Sequence, residues 1–177
     1  MQDKRYAAGD TVVYAAQGVC RVEGIEQKDF GGAPVEYYVL KPVEAPHSTV
    51  YVPVGNPALT GKMRRVLSPE EVRELIQAMP QEPSAWVEDE NARKETYRRI
   101  LSQGDQRELI RAIKAVYLHQ KSLREQGKKL HMADERFFKE AEKILYSEFA
   151  LVLHLQPDQV LPFITQQIEE SGGRQEA

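Results

Sequence analysis

The chain runs to 177 residues, 41% of them hydrophobic and 29% charged, with a formal net charge of −3. That length holds one large domain or two small ones, and the negative total argues against bulk coating of nucleic acid. No apolar run is long enough to span a bilayer, and the opening MQDKRYAAGD lacks the apolar core of an export signal, so a cytoplasmic protein with no membrane partner is expected.

Up to about Val66 the pattern alternates in short runs. Residues 11–14, 18–25, 36–40 and 48–53 read as strands, with a further short one near 63–67. Gly9-Asp10, Pro42 and Gly55-Asn56-Pro57 supply the breaks, and Gly31-Gly32 between two strand-like runs suits a hairpin turn. Cys20, the one cysteine, lies inside the second run and is expected to be a buried structural thiol. Five short strands in this space predict a small, strongly bent barrel, because closing a sheet removes its exposed edges.

The period then becomes helical. Ser68-Pro69-Glu70-Glu71 carries the signature of a capping box, with serine at the N-cap, proline at the first helical position and glutamate three after the cap. That helix is expected to stop near Met79, before Pro80, and Gln81-Glu82-Pro83 reads as a linker. A second helix is predicted from Ser84 to Gln103, and Asp105 with Glu108 opens another that ends at Gly127. Phe137, Ala141, Ile144, Leu145, Phe149 and Val152 make the apolar stripe of a long helix. Pro157 opens a last one, carrying Val160, Leu161, Ile164 and Ile168. The expected class is α+β: a small β-barrel over residues 1–66, a helix and linker over 67–83, an all-helical domain over 84–170 and a frayed tail over 171–177.

Site chemistry is sparse. His47, His119, His131 and His154 are scattered without metal-ligand spacing and read as surface or packing residues. The sequence has no GxxxxGK[ST] loop, no GxGxxG turn and no GxSxG elbow. No metal, cofactor or small-molecule ligand is expected, and no enzymatic activity.

Charge is polarised along the chain. Residues 91–143 hold 14 Lys and Arg against 8 Asp and Glu, and the remainder 10 against 19. At about 100° per residue, Arg107, Arg111, Lys114 and Lys121 fall within roughly 80° of one another on one helix, opposite Leu109, Ile113, Val116 and Leu123. Such a stripe suits a phosphate backbone; it equally suits an ordinary solvated amphipathic surface. Arg93, Lys94, Arg98, Arg99, Lys128 and Lys129 add local positive charge. Trp86, the one tryptophan, shares a helical face with Arg93, Tyr97 and Ile100, which points inward. Its place in a first turn points outward. Burial and recognition of a partner both fit. Among the tyrosines, adjacent Tyr37 and Tyr38 must point to opposite faces of a strand, which favours core and rim over a cation cage. The edge strand 49–52 is a place for another protein's strand to pair.

Taken together, GDTVVYAAQGVCRVEGIE, EYYVLKP, STVYVPV, a PxxW at the start of a helical half and GKKLHMADERFFKEAEKILYSEFALVL resemble the CarD/CdnL family of bacterial transcription regulators. The resemblance runs from about Ala8 to Ile168. It implies a Tudor-like N-terminal domain that docks on the RNA polymerase β subunit. It also implies a helical domain that meets promoter DNA, through the minor groove and without sequence readout, at the upstream edge of the transcription bubble. In that family a tryptophan wedges in there and hinders bubble collapse, and Trp86 matches it. Arg93, Arg107, Arg111, Lys114 and Lys121 are the expected DNA-contacting cations, and Lys28, Tyr51, Val52 and Pro53 the expected polymerase contacts. Two departures stand out: Glu88, Asp89 and Asn91 follow the tryptophan where basic residues are common, and Tyr51 replaces a frequent arginine. A polymerase-docking module that makes no DNA contact is therefore the alternative expectation.

Overall fold

The computed structural model of the chain describes residues 5–175, setting aside the side chains of Ala16 and of residues 171–175. The tail expected from Ser171 onward thus lies outside the described side chains, and its last two residues outside the described backbone. The chain divides into two compact units, Met1–Val66 and Leu67–Ala177.

The first unit is a five-stranded antiparallel sheet of β1 (Thr11–Tyr14), β2 (Gly18–Lys28), β3 (Val35–Pro42), β4 (Val50–Pro53) and β5 (Met63–Arg65). The strand order is β4-β3-β2-β1-β5. Its core joins Val12, Cys20, Val22, Tyr38, Leu40, Val52 and Met63. Burial pushes the Cys20 thiol up to about 11, as befits an inert packing group. The β2–β3 hairpin turns at the expected glycines, where the Asp29 carboxylate accepts the N–H groups of Gly31 (3.1 Å) and Gly32 (2.7 Å).

The expected closed barrel is not found: β4 and β5 stand at opposite ends of the strand order. The sheet bends instead of closing. A register shift between Val22 and Gly24 puts an extra residue into β2, and Gly24 takes a φ of 151° that a side chain would oppose. Edge strands of four and three residues leave little unpaired backbone, and short edges are tolerated in an open sheet. Between them the chain makes one short helix, α1 (Pro57–Thr60).

The second unit is helical: α2 (Pro69–Ala78), α3 (Glu90–Gln103), α4 (Gln106–Glu125), α5 (Met132–Leu153) and α6 (Val160–Gln175), the last entered through a 3-10 turn at Pro157–Gln159. Ser68 caps α2 in a complete capping box with Glu71. α5 is the spine. Its Phe137, Ala141 and Ile144 pack with Tyr97, Ile100, Leu109 and Val116, while Leu145, Phe149 and Ala150 pack with Val72, Ile76, Ile110, Val160 and Ile164. Leu161, expected on the apolar stripe of α6, is 52% exposed.

The second predicted helix begins later than expected. α3 starts at Glu90, because Asp89 is its N-cap and accepts the N–H of Ala92 at 2.7 Å. Residues 83–88 have no regular secondary structure. The acidic run after Trp86 is therefore a helix-start signal: a capping aspartate, then Glu90 in the first turn, where the helix dipole favours negative charge.

Phe149 is fully buried near the C-terminal end of the spine. Phe149→Ala is expected to cost about 3–5 kcal/mol, read as a lowered denaturation midpoint of the helical circular-dichroism signal.

Candidate interaction surfaces

Trp86 sits on the irregular span between α2 and α3. Its indole is half-buried and stacks on His119 of α4, with ring centroids 3.6 Å apart and planes 10° from parallel. The Arg93 guanidinium carbon lies 4.4 Å from the indole centroid. An imidazole at van der Waals distance leaves no room for a guanidinium on the same face, so the two groups hold the indole between them. Trp86 packs against the helical core and still keeps exposed surface.

Arg93 is buried, 6% exposed, and its fork is almost fully used. Nε and Nη2 donate to the two carboxylate oxygens of Asp134 at 2.8 and 3.1 Å, and Nη1 donates to the carbonyls of Val87 (2.9 Å) and Glu88 (3.2 Å). Tyr97 adds its hydroxyl to Asp134 at 2.8 Å. Burial alone would raise the Asp134 carboxyl, but the Arg93 and Tyr97 donors outweigh it and hold the group below the usual carboxylate range. The stabilisation is therefore complete at neutral pH and is lost as pH falls through that lowered value. Burial pushes the Tyr97 hydroxyl up. Breaking a buried pair of this kind by removing one partner costs about 3–5 kcal/mol.

The basic stripe of α4 turns partly inward. Glu82, 8% exposed, receives Arg107 Nη1 at 3.2 Å and Arg111 Nε at 2.7 Å. The Lys114 ammonium donates to the carbonyls of Met79 (3.2 Å), Pro80 (2.9 Å) and Glu82 (2.9 Å). It thereby satisfies carbonyl groups just past the C-terminal end of α2, where a cation is also favoured by the helix dipole. The Arg107 and Arg111 side chains remain 61% and 45% exposed, and Lys121 is exposed. Of the six expected DNA-contacting residues, Trp86 and Arg93 are brought into direct contact. Arg107, Arg111 and Lys114 pin the chain just before Trp86, and Lys121 stands apart near the end of α4.

On the first unit, Tyr51 of β4 is 38% exposed and Phe30 of the β2–β3 turn 63%. With Tyr37 they form a cluster with centroids 5.2 to 6.2 Å apart, edge to face. Lys28 pairs with Glu26 at 2.8 Å and lies 6.0 Å from the Tyr51 ring. Tyr38 faces the core and Tyr37 the opposite side, as alternation requires. Val52, an expected polymerase contact, is 0% exposed, so its side chain belongs to the core. β4 is an edge strand. Val54 N–H donates to the Glu36 carbonyl at 2.9 Å, and ladder alternation then turns the backbone groups of Val50 and Val52 toward β3 and those of Tyr51 outward. Pro53 has no N–H to offer, and its carbonyl accepts from Asn56.

Four participants escaped the sequence reading: His119, Asp134, Glu82 and Phe30. Only Phe30 left a signal, as an aromatic residue beside a glycine turn. Among the described residues no three His, Cys, Asp or Glu side chains converge on a metal-holding group, and no described helix is long and apolar enough to cross a membrane.

An open sheet edge with an aromatic cluster beside it is the kind of surface to which another protein's strand adds. Residues 6–67 match the family model described as CarD-like/TRCF RID domain. This unit is similar to the CarD-like RNA polymerase-interacting domains. The match stops where the helical unit begins.

Because His119 covers one face of the indole, His119→Ala is expected to shift Trp86 emission to the red and roughly double its quenching by acrylamide, scaled to the contact area lost. With one tryptophan in the chain, steady-state fluorescence reads this directly.

Proposed function

We propose that the chain is a bacterial transcription regulator of the cytoplasm: it docks on the RNA polymerase β subunit through its first unit and lengthens the life of promoter open complexes through its second. The observation that carries the reading is Trp86, held on an irregular span between helices with part of its indole exposed, in a chain whose first unit is a CarD-like polymerase-interacting domain. In this reading the bent sheet is a Tudor-like module. A strand of the β subunit adds to the β4 edge at Tyr51, and Phe30, Tyr37, Lys28 and Pro53 flank the contact.

The tethered helical unit meets the duplex at the upstream edge of the bubble. There the exposed part of the indole enters the minor groove, where wedge contacts depend on how easily a base step opens and not on base identity. Arg107, Arg111 and Lys121 offer charge to phosphates; Arg93 and Lys114 act indirectly, through the backbone they hold. Contacts favouring the open state by about 1–2 kcal/mol shift its population roughly five- to thirty-fold, so a small, partly covered wedge suffices.

The second reading is docking without DNA contact. It is favoured by the inward pairing of Arg107 and Arg111 with Glu82, by the use of Lys114 on backbone carbonyls, and by the two groups against the indole.

Trp86→Ala is expected to shorten open-complex half-life at least several-fold while leaving polymerase binding unchanged; equal half-lives would remove the wedge. For the docking surface, the full chain should capture the isolated β lobe. Tyr51→Pro, which deletes the outward N–H, should weaken capture about tenfold more than Tyr51→Ala, the value of one unmade hydrogen bond. Absence of capture by the unaltered chain would sink both readings.

A further inference from the structure

We propose that Arg93, held by Asp134 and Tyr97, is a positioning residue for Trp86, so that the first turn of α5 dictates where the indole stands. This rests on the proposed role of Trp86 at promoter DNA and adds to it the device that presets the wedge.

The irregular span is fastened at both ends. At its start, Glu82 takes Arg107 and Arg111, and Lys114 takes the carbonyls of Met79, Pro80 and Glu82. At its end, Arg93 takes the carbonyls of Val87 and Glu88, the two residues after Trp86. The same guanidinium also lies against the indole. An ion pair serving only to join α3 to α5 would need neither contact. Four of the five guanidinium donors are spent, two on Asp134 and two on the span. The fork is rigid and planar, so fixing one edge on Asp134 fixes the direction of the other edge and of the plane.

Asp134 is itself buried and held by hydrogen bonds. It is 1% exposed, sits in the first turn of α5, and has Tyr97 on one of its oxygens. Tyr97 in turn stacks on Phe137, with centroids 3.9 Å apart and planes 4° from parallel, which ties the anchor to the core of the unit. Position therefore passes from the α5 spine through Asp134 and Arg93 to Val87, Glu88 and the indole. A preset wedge spends no binding free energy on ordering the span when it meets DNA.

Lysine keeps the charge of Arg93 and can still pair with Asp134, but a single ammonium cannot also reach both carbonyls and cover the ring. The test is Arg93→Lys in the full chain, with Tyr97→Phe as a milder variant that removes only one hydroxyl from Asp134. Circular dichroism checks the fold, acrylamide quenching of Trp86 reads the position of the indole in the free protein, and open-complex half-life reads its consequence. Arg93→Lys is expected to keep helix content, raise the quenching constant at least twofold and shorten the half-life toward that of Trp86→Ala, with Tyr97→Phe between it and the unaltered chain. Unchanged quenching in folded Arg93→Lys overturns the inference. If that variant does not fold, unchanged quenching in Tyr97→Phe overturns it. A freed indole with an unaltered half-life, in a system where Trp86→Ala shortens it, also overturns the positioning role. A Trp86→Ala variant with unaltered half-life instead removes the DNA reading and leaves the fluorescence result to decide whether Arg93 fixes the indole.

Discussion

The helical unit depends on one buried charge pair. Arg93 and Asp134 lie in the first turns of α3 and α5, so a cation has been placed between two helix starts that both repel it. The bidentate carboxylate, with Tyr97 completing its hydrogen bonding, and the carbonyls of Val87 and Glu88 offset that repulsion. In exchange, two helices from distant parts of the sequence are joined at the point where the irregular span enters α3. That span carries the exposed aromatic group on which the functional reading turns.

Seen from this pair, the positive charge of residues 91–143 divides into two kinds. Some of it is internal scaffolding: Arg93 and Lys114 spend their donors on Asp134 and on backbone carbonyls. The rest is surface charge, and even there Arg107 and Arg111 share Glu82. A phosphate backbone would therefore compete with an existing carboxylate for two of the arginines. On the proposed reading, DNA contact is then weak and salt-sensitive, as suits a factor that stays tethered to polymerase and only biases an equilibrium. That reading divides the labour between the units: affinity from the sheet edge and bias from the wedge.

Most of the elements were legible in the sequence, because their signals are local. Ser68-Pro69-Glu70-Glu71 forms its capping box, the stripe from Phe137 to Phe149 is the α5 core face, and Gly31-Gly32 turns the hairpin. Three features were not. Barrel closure failed as an expectation because alternation tells which residues face a core but not whether the first and last strands meet, and a bulge at Val22/Gly24 bends the sheet without closing it. The start of α3 was misplaced because Asp89 is a cap that a helical wheel drawn from Ser84 had already absorbed. The Trp86 surroundings were hidden because His119 and Asp134 lie 33 and 48 residues further along the chain, and such contacts leave no periodic trace. The acidic residues after Trp86 seemed to oppose a DNA role. Asp89 and Glu90 instead begin a helix, while Glu88 contributes its carbonyl to Arg93.

The most direct measurement is a photocrosslinker in place of Trp86, activated in a complete polymerase–promoter complex. Crosslinks to DNA at the upstream edge of the bubble, in open complexes and not in closed ones, are the predicted result. Crosslinks that go only to protein, with the chain bound to polymerase, would contradict the account and leave the docking module standing alone.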